Sequence, residues 1–425
     1  MLNPQLNNSL GVNLTGHITG DFGLAEAARG NLRALEAARI PFAVKDLKID
    51  WLPNSDTSYK KFSDDNRYPI NIIQTNPNWV EQILAGYFPG IGSEYFKGKY
   101  NIGVWLWELP VFPSEWQWAF DLFDEIWTTS NFCAEAFSAV SQVPVLKIPV
   151  SLAFPEPLLT RENVKLPKDK FIFLFMFDFG SSFERKNPFA TVQAFKRAFG
   201  KSNPDVLLVL KFANAHLFPQ RRQELIDLAE GWSSLQFIDG HLKKEEIHGL
   251  VNSCDCYVSL HRAEGFGLTM SEAMYYGKPV IATAYSSNME FMNVGNSFPV
   301  KYELVTTTED YGAYPKGSVW AEPDIDHAAS LMKSVFENYQ DAQKVGKIAA
   351  KEIRSLLNPQ AVGRKMKNRL EFIMAHLNHT HMSNRFHELQ AERDLLACQA
   401  QAWRQTALQV QKELAKSSQF QLQQR

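Results

Sequence analysis

Short runs of apolar and β-branched residues alternate along this chain with longer stretches whose apolar positions recur at helical spacing, the pattern of βα units around parallel sheets. In the first part the predicted strands are Leu10–Leu14, Phe42–Val44, Ile70–Gln74, Ile102–Leu106, Ile126–Thr128 and Val145–Ile148. Between them Leu24–Ala38 carries Ala, Leu and Arg at helical spacing, and Ser130 is placed to cap a helix over Asn131–Val140. Pro144, Pro149, Pro155 and Pro157 then crowd a stretch that reads as a linker. The pattern restarts with strands Phe171–Phe177, Val206–Lys211, Leu235–Ile238, Cys256–Leu260 and Val280–Ala282. The helices predicted between these run from Pro188 to about Phe199, then over Gln220–Glu230, Lys244–Asn252 and Leu268–Tyr276. Pro188 suits a first helical turn, where its missing amide hydrogen would have no partner anyway.

From about Asp326 the chain turns helical, through Ala328–Leu356 and on to Ala375. The expected organisation is one α/β domain over residues 1–153, a second over 154–360, a linking helix over 361–382 that packs back on the first domain, and a tail over 383–425. In that tail Leu389, Leu396, Trp403 and Val410 recur every seven residues, and Phe386, Ala400, Ala407 and Leu414 form a second row broken by Arg393. Such a seam predicts a short coiled coil that dimerises the protein or docks on its own body, with a lone solvated helix as the plainer alternative.

Length and charge agree with this plan. The 425 residues give material for two large domains, and 21% charged against 45% hydrophobic residues excludes wholesale disorder. With 44 Lys and Arg against 46 Asp and Glu the net charge is −2, so no nucleic-acid partner is expected and any anionic ligand must be held by local charge. Cys133, Cys254, Cys256 and Cys398 are too few and scattered for a disulfide framework, and Cys254-Asp-Cys256 lacks the spacing of a metal knuckle. The start of the chain shows neither a cationic nor an apolar leader segment, and the longest apolar run, Phe171–Phe177, is far shorter than the ~20 residues of a membrane helix. A cytoplasmic, reducing location is therefore expected. Aromatic residues make up 12%, with several Trp between Trp105 and Trp127; core packing is the simpler use of these rings and carbohydrate stacking the other.

The sharpest chemical signal is Glu264-Gly-Phe-Gly-Leu-Thr-Met-Ser-Glu272, between a predicted strand and a predicted helix. Glycines let the backbone approach a ligand, the free amides of a helix start suit a phosphate, and the two carboxylates can accept hydrogen bonds from sugar or ribose hydroxyls. Arg185 and Lys186 follow the first strand of the second domain, where open α/β sheets bind ligands, and can face a diphosphate. Gly16, Gly20 and Gly23 follow the first strand of the chain, at a spacing that departs from the dinucleotide fingerprint G-x-G-x-x-G. They read as a turn closing over a diphosphate, or as an ordinary βα turn. His17 and His261 are structural candidates first. No metalloprotease, α/β-hydrolase or P-loop motif is present.

The segment Ser259–Glu290, with Glu264, Glu272, Gly277 and Pro279, resembles the E-x₇-E signature of the retaining glycosyltransferases of family 4, the group 1 glycosyltransferases; weaker similarity runs over Phe171–Asn187 and Ile102–Phe132. The resemblance implies a GT-B fold, two Rossmann-like domains facing across a cleft, the first shaping the acceptor site and the second binding a nucleotide sugar. It implies that Glu264 contacts the transferred sugar and Glu272 the ribose. Phe266, Gly267 and Leu268 would offer backbone amides, Lys186 with Arg185 would neutralise the diphosphate, the Gly16–Gly23 loop would close over it, and His241 and Leu242 would border the base. Ser181 stands where many members carry Arg, and Trp107-Glu108 where many carry a His-Asp pair. Glu108 remains able to face the acceptor, whereas Trp107 cannot act as a base.

The function this implies is transfer, with retention and without a metal, of a hexose-like sugar from a nucleotide diphosphate donor to a glycan or lipid-linked acceptor. The departing diphosphate would draw the acceptor proton, which places the demand on leaving-group stabilisation. A lipid-linked acceptor would add transient contact with the inner membrane face. The other readings are a catalytically silent nucleotide-sugar binder whose coiled-coil tail recruits partners, motivated by Trp107 and Ser181, and a glucan phosphorylase, for which no cofactor-lysine segment is visible.

Overall fold

The run Phe171–Asp178 shows how apolar segments become sheet centres in this chain. Ile172, Leu174 and Met176 enter one core cluster and Phe173, Phe175 and Phe177 another, so the strand is buried on both faces, as parallel sheets covered by helices require. The computed structural model describes residues 10–50, 52–201, 203–380, 393–402 and 404–405. The first sheet contains β1 (Val12–Gly16), β2 (Phe42–Asp46), β3 (Ile70–Gln74), β4 (Tyr100–Val104), β5 (Glu125–Thr128) and β6 (Val145–Lys147) in the order β2-β1-β3-β4-β5-β6. The second contains β7 (Phe171–Asp178), β8 (Val206–Ala213), β9 (Leu235–Asp239), β10 (Cys256–Ser259), β11 (Val280–Thr283) and β12 (Phe298–Val300) in the order β12-β11-β10-β7-β8-β9. Every pairing within both sheets is parallel.

Both sheets reverse their winding beside the strand that opens them, which creates a crevice at the carboxyl ends of the strands. Register in the first sheet is pinned by buried amides. Asn13, Asn71 and Asn101 lie opposite one another on β1, β3 and β4. Asn13 Nδ2 donates to Asn71 Oδ1 at 2.9 Å, and Asn71 Nδ2 donates to Asn101 Oδ1 at 2.9 Å. A one-residue slip would strand these amides against apolar neighbours.

Two features depart from the sequence expectations. The helical block over Ala328–Leu356 is two helices, Ile325–Glu337 and Tyr339–Leu356, broken at Asn338, and a third runs over Pro359–Thr380. Pro359 forces the second break, because the residue before proline is pushed out of the helical region. Two strands with no apolar run of their own, β13 (Tyr302–Thr306) and β14 (Val319–Pro323), form an antiparallel hairpin after β12. The Trp-rich stretch, by contrast, is mainly core, in line with the simpler use of its rings: Trp105 and Trp127 are fully buried, and Trp105 stacks on Phe112 with ring centroids 6.1 Å apart.

The described part of the tail docks on the first lobe. Arg393 donates to Asp124 Oδ2 at 3.1 Å, Ala397 is buried in the aromatic core of that lobe, and Arg404 donates to the Glu81 carbonyl at 2.6 Å and pairs with its carboxylate at 2.8 Å. The docked face thus holds Arg393, Ala397 and Arg404, whereas Leu396 and Ala400 of the heptad rows face solvent. Phe386, Leu389, Trp403, Ala407, Val410 and Leu414 lie outside the described residues. Among those described, no helix is long and apolar enough to cross a membrane.

The helix Pro359–Thr380 ties the end of the second lobe to the first by lying on the helix Gly23–Ala37, where Val362, Met366 and Leu370 join the core of the first sheet. The approach is close enough that a Cβ at Gly363 would collide with the Ala34 carbonyl oxygen. Gly363→Val should therefore lower stability by roughly 1–3 kcal/mol through overpacking against rigid backbone. Thermal unfolding of the variant checks this; an unchanged Tm would show that the two helices separate freely.

Candidate functional site

Glu264 leaves the end of β10 on a loop that turns into the helix Leu268–Tyr275. The turn depends on Gly267, whose φ of +94° lies in the left-handed region; a side chain there would also meet Met270 and Asn288. No side chain caps the helix, so the amides of its first turn are left for a ligand, at the positive end of the helix dipole. The loop is clamped from both lobes. Ser286 Oγ accepts from the Glu264 amide at 2.8 Å, and Thr129 of the first lobe donates to the Gly265 carbonyl at 2.8 Å. Ser130 and Ser287 join hydroxyls across the same junction at 2.7 Å.

The Glu264 carboxylate is held by the Lys186 ammonium and lies 3.5 Å from the Arg185 guanidinium. Lys186 and Arg185 sit in the short helix Phe183–Lys186, which ends at Asn187 in a left-handed conformation; Asn187 then caps Pro188–Phe199. Arg185 is fixed further by donating to the carbonyls of Ala263 at 2.8 Å and Ser181 at 2.9 Å. Burial by itself would raise the Glu264 carboxyl, but Lys186, Arg185 and His261 outweigh it and hold the group below its ordinary 4.5. Burial pulls the Lys186 ammonium down, with Glu264 opposing.

These groups line a cleft of about 1630 Å³ between the two sheets. Of the sequence-predicted residues, the structure brings Glu264, Phe266, Gly267, Leu268, Glu272, Arg185, Lys186, His241 and Leu242 to its second-lobe wall, and Trp107, Glu108 and Gly23 to its first-lobe wall. It places Gly16 and Gly20 off the wall, Gly16 packed against Gln74 and Gly20 against the Phe22 ring. The loop between them is tied back by Asp46, which accepts from the Ile18 amide at 2.7 Å and the Thr19 hydroxyl at 2.6 Å. Trp107 is buried and donates its indole N–H to the Val111 carbonyl at 2.8 Å, while Glu108 accepts from the Tyr314 hydroxyl at 3.0 Å. His17 and His261 are structural: His17 bridges the Leu47 carbonyl and Thr75, and His261 bridges Ser259 and Asn288.

Several cleft residues had no readable signal. Tyr314 stands on the connection of the β13–β14 hairpin, reaching Glu108 on the facing lobe and leaving its ring 5.5 Å from Trp107. His248 fixes Glu272 through a 2.7 Å contact from Nδ1, an orientation that helix periodicity could not supply. Lys244 crosses the cleft mouth to Glu26 at 3.1 Å and to Asp56, joining the lobes through a cluster completed by Arg29 and Arg33. Lys211, buried near the end of β8, also opens on the cleft; it is the exception, since a lone lysine inside the apolar run Val206–Ala213 is visible in the sequence.

Residues 159–352 match the family described as Glycosyl transferases group 1. No curated protein sequence matches the chain. Among solved structures it is similar to Alr3699/HepE of Anabaena in complex with UDP and glucose, with a TM-score of 0.59 and 13% identity over 85% of this chain and 99% of that one. A glycosyltransferase from Rickettsia africae ESF-5 gives 0.60 at 15% identity over 86% and 99%. The sucrose-phosphate synthase of Thermosynechococcus elongatus gives 0.60 at 16% identity over 86% and 100%. At these identities the likeness is one of fold, two parallel sheets facing across a cleft in the GT-B manner.

The lowered Glu264 carboxyl sets a pH signature. A group held below its ordinary value contributes stability that is complete above 4.5 and is lost as pH falls through the lowered value. Glu264→Gln leaves two buried cations uncompensated and should cost roughly 3–5 kcal/mol near neutrality. Denaturant titrations should show this gap between parent and variant shrinking as pH is lowered from 4.5; a gap that stays constant into stronger acid would mean that Glu264 does not carry this charge.

Proposed function

With residues 159–352 forming a group 1 glycosyltransferase domain, we propose that the chain moves a hexose-like sugar from a nucleotide diphosphate donor to a glycan or lipid-linked acceptor with retention of configuration. The observation that carries this reading is the Glu264 carboxylate held by Lys186 and Arg185 beside the uncapped helix start at Leu268, all on one wall of the cleft. In the free protein Glu264 satisfies both cations. A donor diphosphate arriving at the helix start takes over the Lys186 ammonium, and Glu264 is released to accept hydrogen bonds from the sugar hydroxyls. The amides of Gly267 and Leu268 hold phosphate oxygens, and Glu272, oriented by His248, accepts from the ribose.

The residues of the cleft suit a reaction in which charge builds on the leaving group. Fixed cations and amides already aimed at the developing diphosphate charge need no reorganisation during bond breaking. The sugar then passes through an oxocarbenium-like state while the leaving phosphate oxygen takes the acceptor proton on the same face, so no protein base is required. This accounts for Trp107 where a base could have stood. Lys186 and Arg185 supply the positive charge that a divalent ion would otherwise bring. Glu108 and Tyr314, joined across the cleft at 3.0 Å, bound the space left for the acceptor hydroxyl. The alternative of a silent nucleotide-sugar binder draws on the same buried Trp107 and on Ser181.

UDP-sugars are the first donors to try, since Alr3699/HepE holds UDP and glucose. Incubated with its donor, the protein should release nucleoside diphosphate slowly by hydrolysis and faster with acceptor, undiminished by a chelator, with the anomeric configuration of the donor kept in the product by NMR. Lys186→Ala should lower kcat by about 10²–10³-fold, the scale of one lost leaving-group contact. Saturable binding without turnover would favour the binder, and an inverted product would overturn the retaining route.

A further inference from the structure

Along β8 the side chains alternate between two cores: Leu208, Leu210 and Phe212 enter one, Leu207 and Val209 the other. Lys211 continues the row of Leu207 and Val209 toward the carboxyl edge of the sheet, where only Ala213 follows it in that row, and lies between Met176 of β7 and Ile238 of β9 in register. It is only 9% exposed, and among the described residues its ammonium makes no hydrogen bond and no ion pair. Among the described residues, the three other cations buried as deeply, Arg29, Lys45 and Arg185, each have a carboxylate partner. The carboxylates that influence Lys211, Asp178 and Asp239, are engaged elsewhere. Asp178 accepts from the Gly180 amide and from Asn214, and Asp239 pairs with Arg222 at 3.0 Å. A largely buried cation without a partner is costly, and the ammonium of this one is open to the cleft.

We propose that Lys211 reads the nucleobase of the donor, donating a hydrogen bond to the carbonyl oxygen O4 of uracil or O6 of guanine. This rests on the reading of the cleft as a nucleotide-sugar site. The surroundings favour a base over a phosphate. Leu242 and Ile247 belong to the same apolar face, and His241 is turned to Asn214 at 3.1 Å, which leaves a slot with apolar walls and one fixed donor, the environment of a flat heterocycle. Asp178 and Asp239 make the spot unfavourable for a dianion, while a neutral carbonyl meets no such opposition. The donor's phosphates are already provided for at Lys186 and the Leu268 helix start. Adenine and cytosine present amino groups where uracil and guanine present carbonyls, so a cationic donor discriminates against them.

Calorimetric titration of the full chain with UDP, GDP, CDP and ADP tests the proposal, with Lys211→Met and Lys211→Arg beside the parent. The parent should bind UDP or GDP more tightly than CDP and ADP, and the arms identify which base it is. Lys211→Met should weaken the preferred nucleotide by about tenfold or more, the scale of a hydrogen bond to a charged group, and leave ADP nearly unchanged. Lys211→Arg, which keeps a charged donor, should retain the preference. Equal weakening of all four by Lys211→Met, no weakening, or a parent that binds nucleotides without base preference would overturn the proposal while leaving the donor site standing. A parent that binds none of the four overturns the donor reading and this proposal with it.

Discussion

The ion cluster of Glu264 with Lys186 and Arg185 is the constraint around which this cleft is arranged. A carboxylate this buried is tolerated only with compensating charge, and both compensating groups come from the short helix after β7 while the carboxylate comes from the loop after β10. Those strands are neighbours at the centre of the second sheet, so the parallel pairing itself brings the two loops together. The lobes then meet on the same loop, through Thr129 on the Gly265 carbonyl and Ser130 on Ser287. Moving the loop would disturb the ion cluster, the uncapped helix and the seam between the lobes together.

Two further contacts hold the lobes at the separation the cleft needs. At the mouth, Lys244 reaches Glu26 and Asp56, whose carboxyls burial would raise but whose cationic neighbours hold each near 2. At the back, the helix Pro359–Thr380 crosses to Gly23–Ala37 in close contact. The first joint is polar and sits at the opening, whereas the second is apolar and continuous with a core.

Much of the fold was legible because the strands are buried on both faces. Such strands become near-continuous apolar runs, and β3 and β7 stand within a residue of where the pattern placed them. Glu264, Glu272, Lys186 and the Gly267 turn were legible for a related reason: a βα loop places its chemistry at fixed offsets from a strand end. The β13–β14 hairpin was not legible, since Tyr302–Thr306 is mostly exposed and shows no period. Gly16 and Gly20 had the look of a ligand loop, yet they pack against Gln74 and Phe22, because glycine serves close packing as readily as it serves a ligand. In the tail, seven-residue spacing marked Leu396 and Ala400, while the contact made runs through Arg393, Ala397 and Arg404. Salt bridges to Asp124 and Glu81 set that rotation, and sequence spacing carries no information about them.

By itself the sequence determined the two parallel sheets and the loops that carry Arg185, Lys186, Glu264 and Glu272 at their strand ends, because burial period and loop position are local properties of the chain. Tertiary structure decided which of those residues meet. His248 orients Glu272 across 24 positions, Tyr314 reaches Glu108 across 206, and Lys211 is left without a partner because Asp178 and Asp239 have taken others. Pairing of this kind depends on distances between atoms far apart in the chain, and only the closed arrangement of sheets and helices sets them.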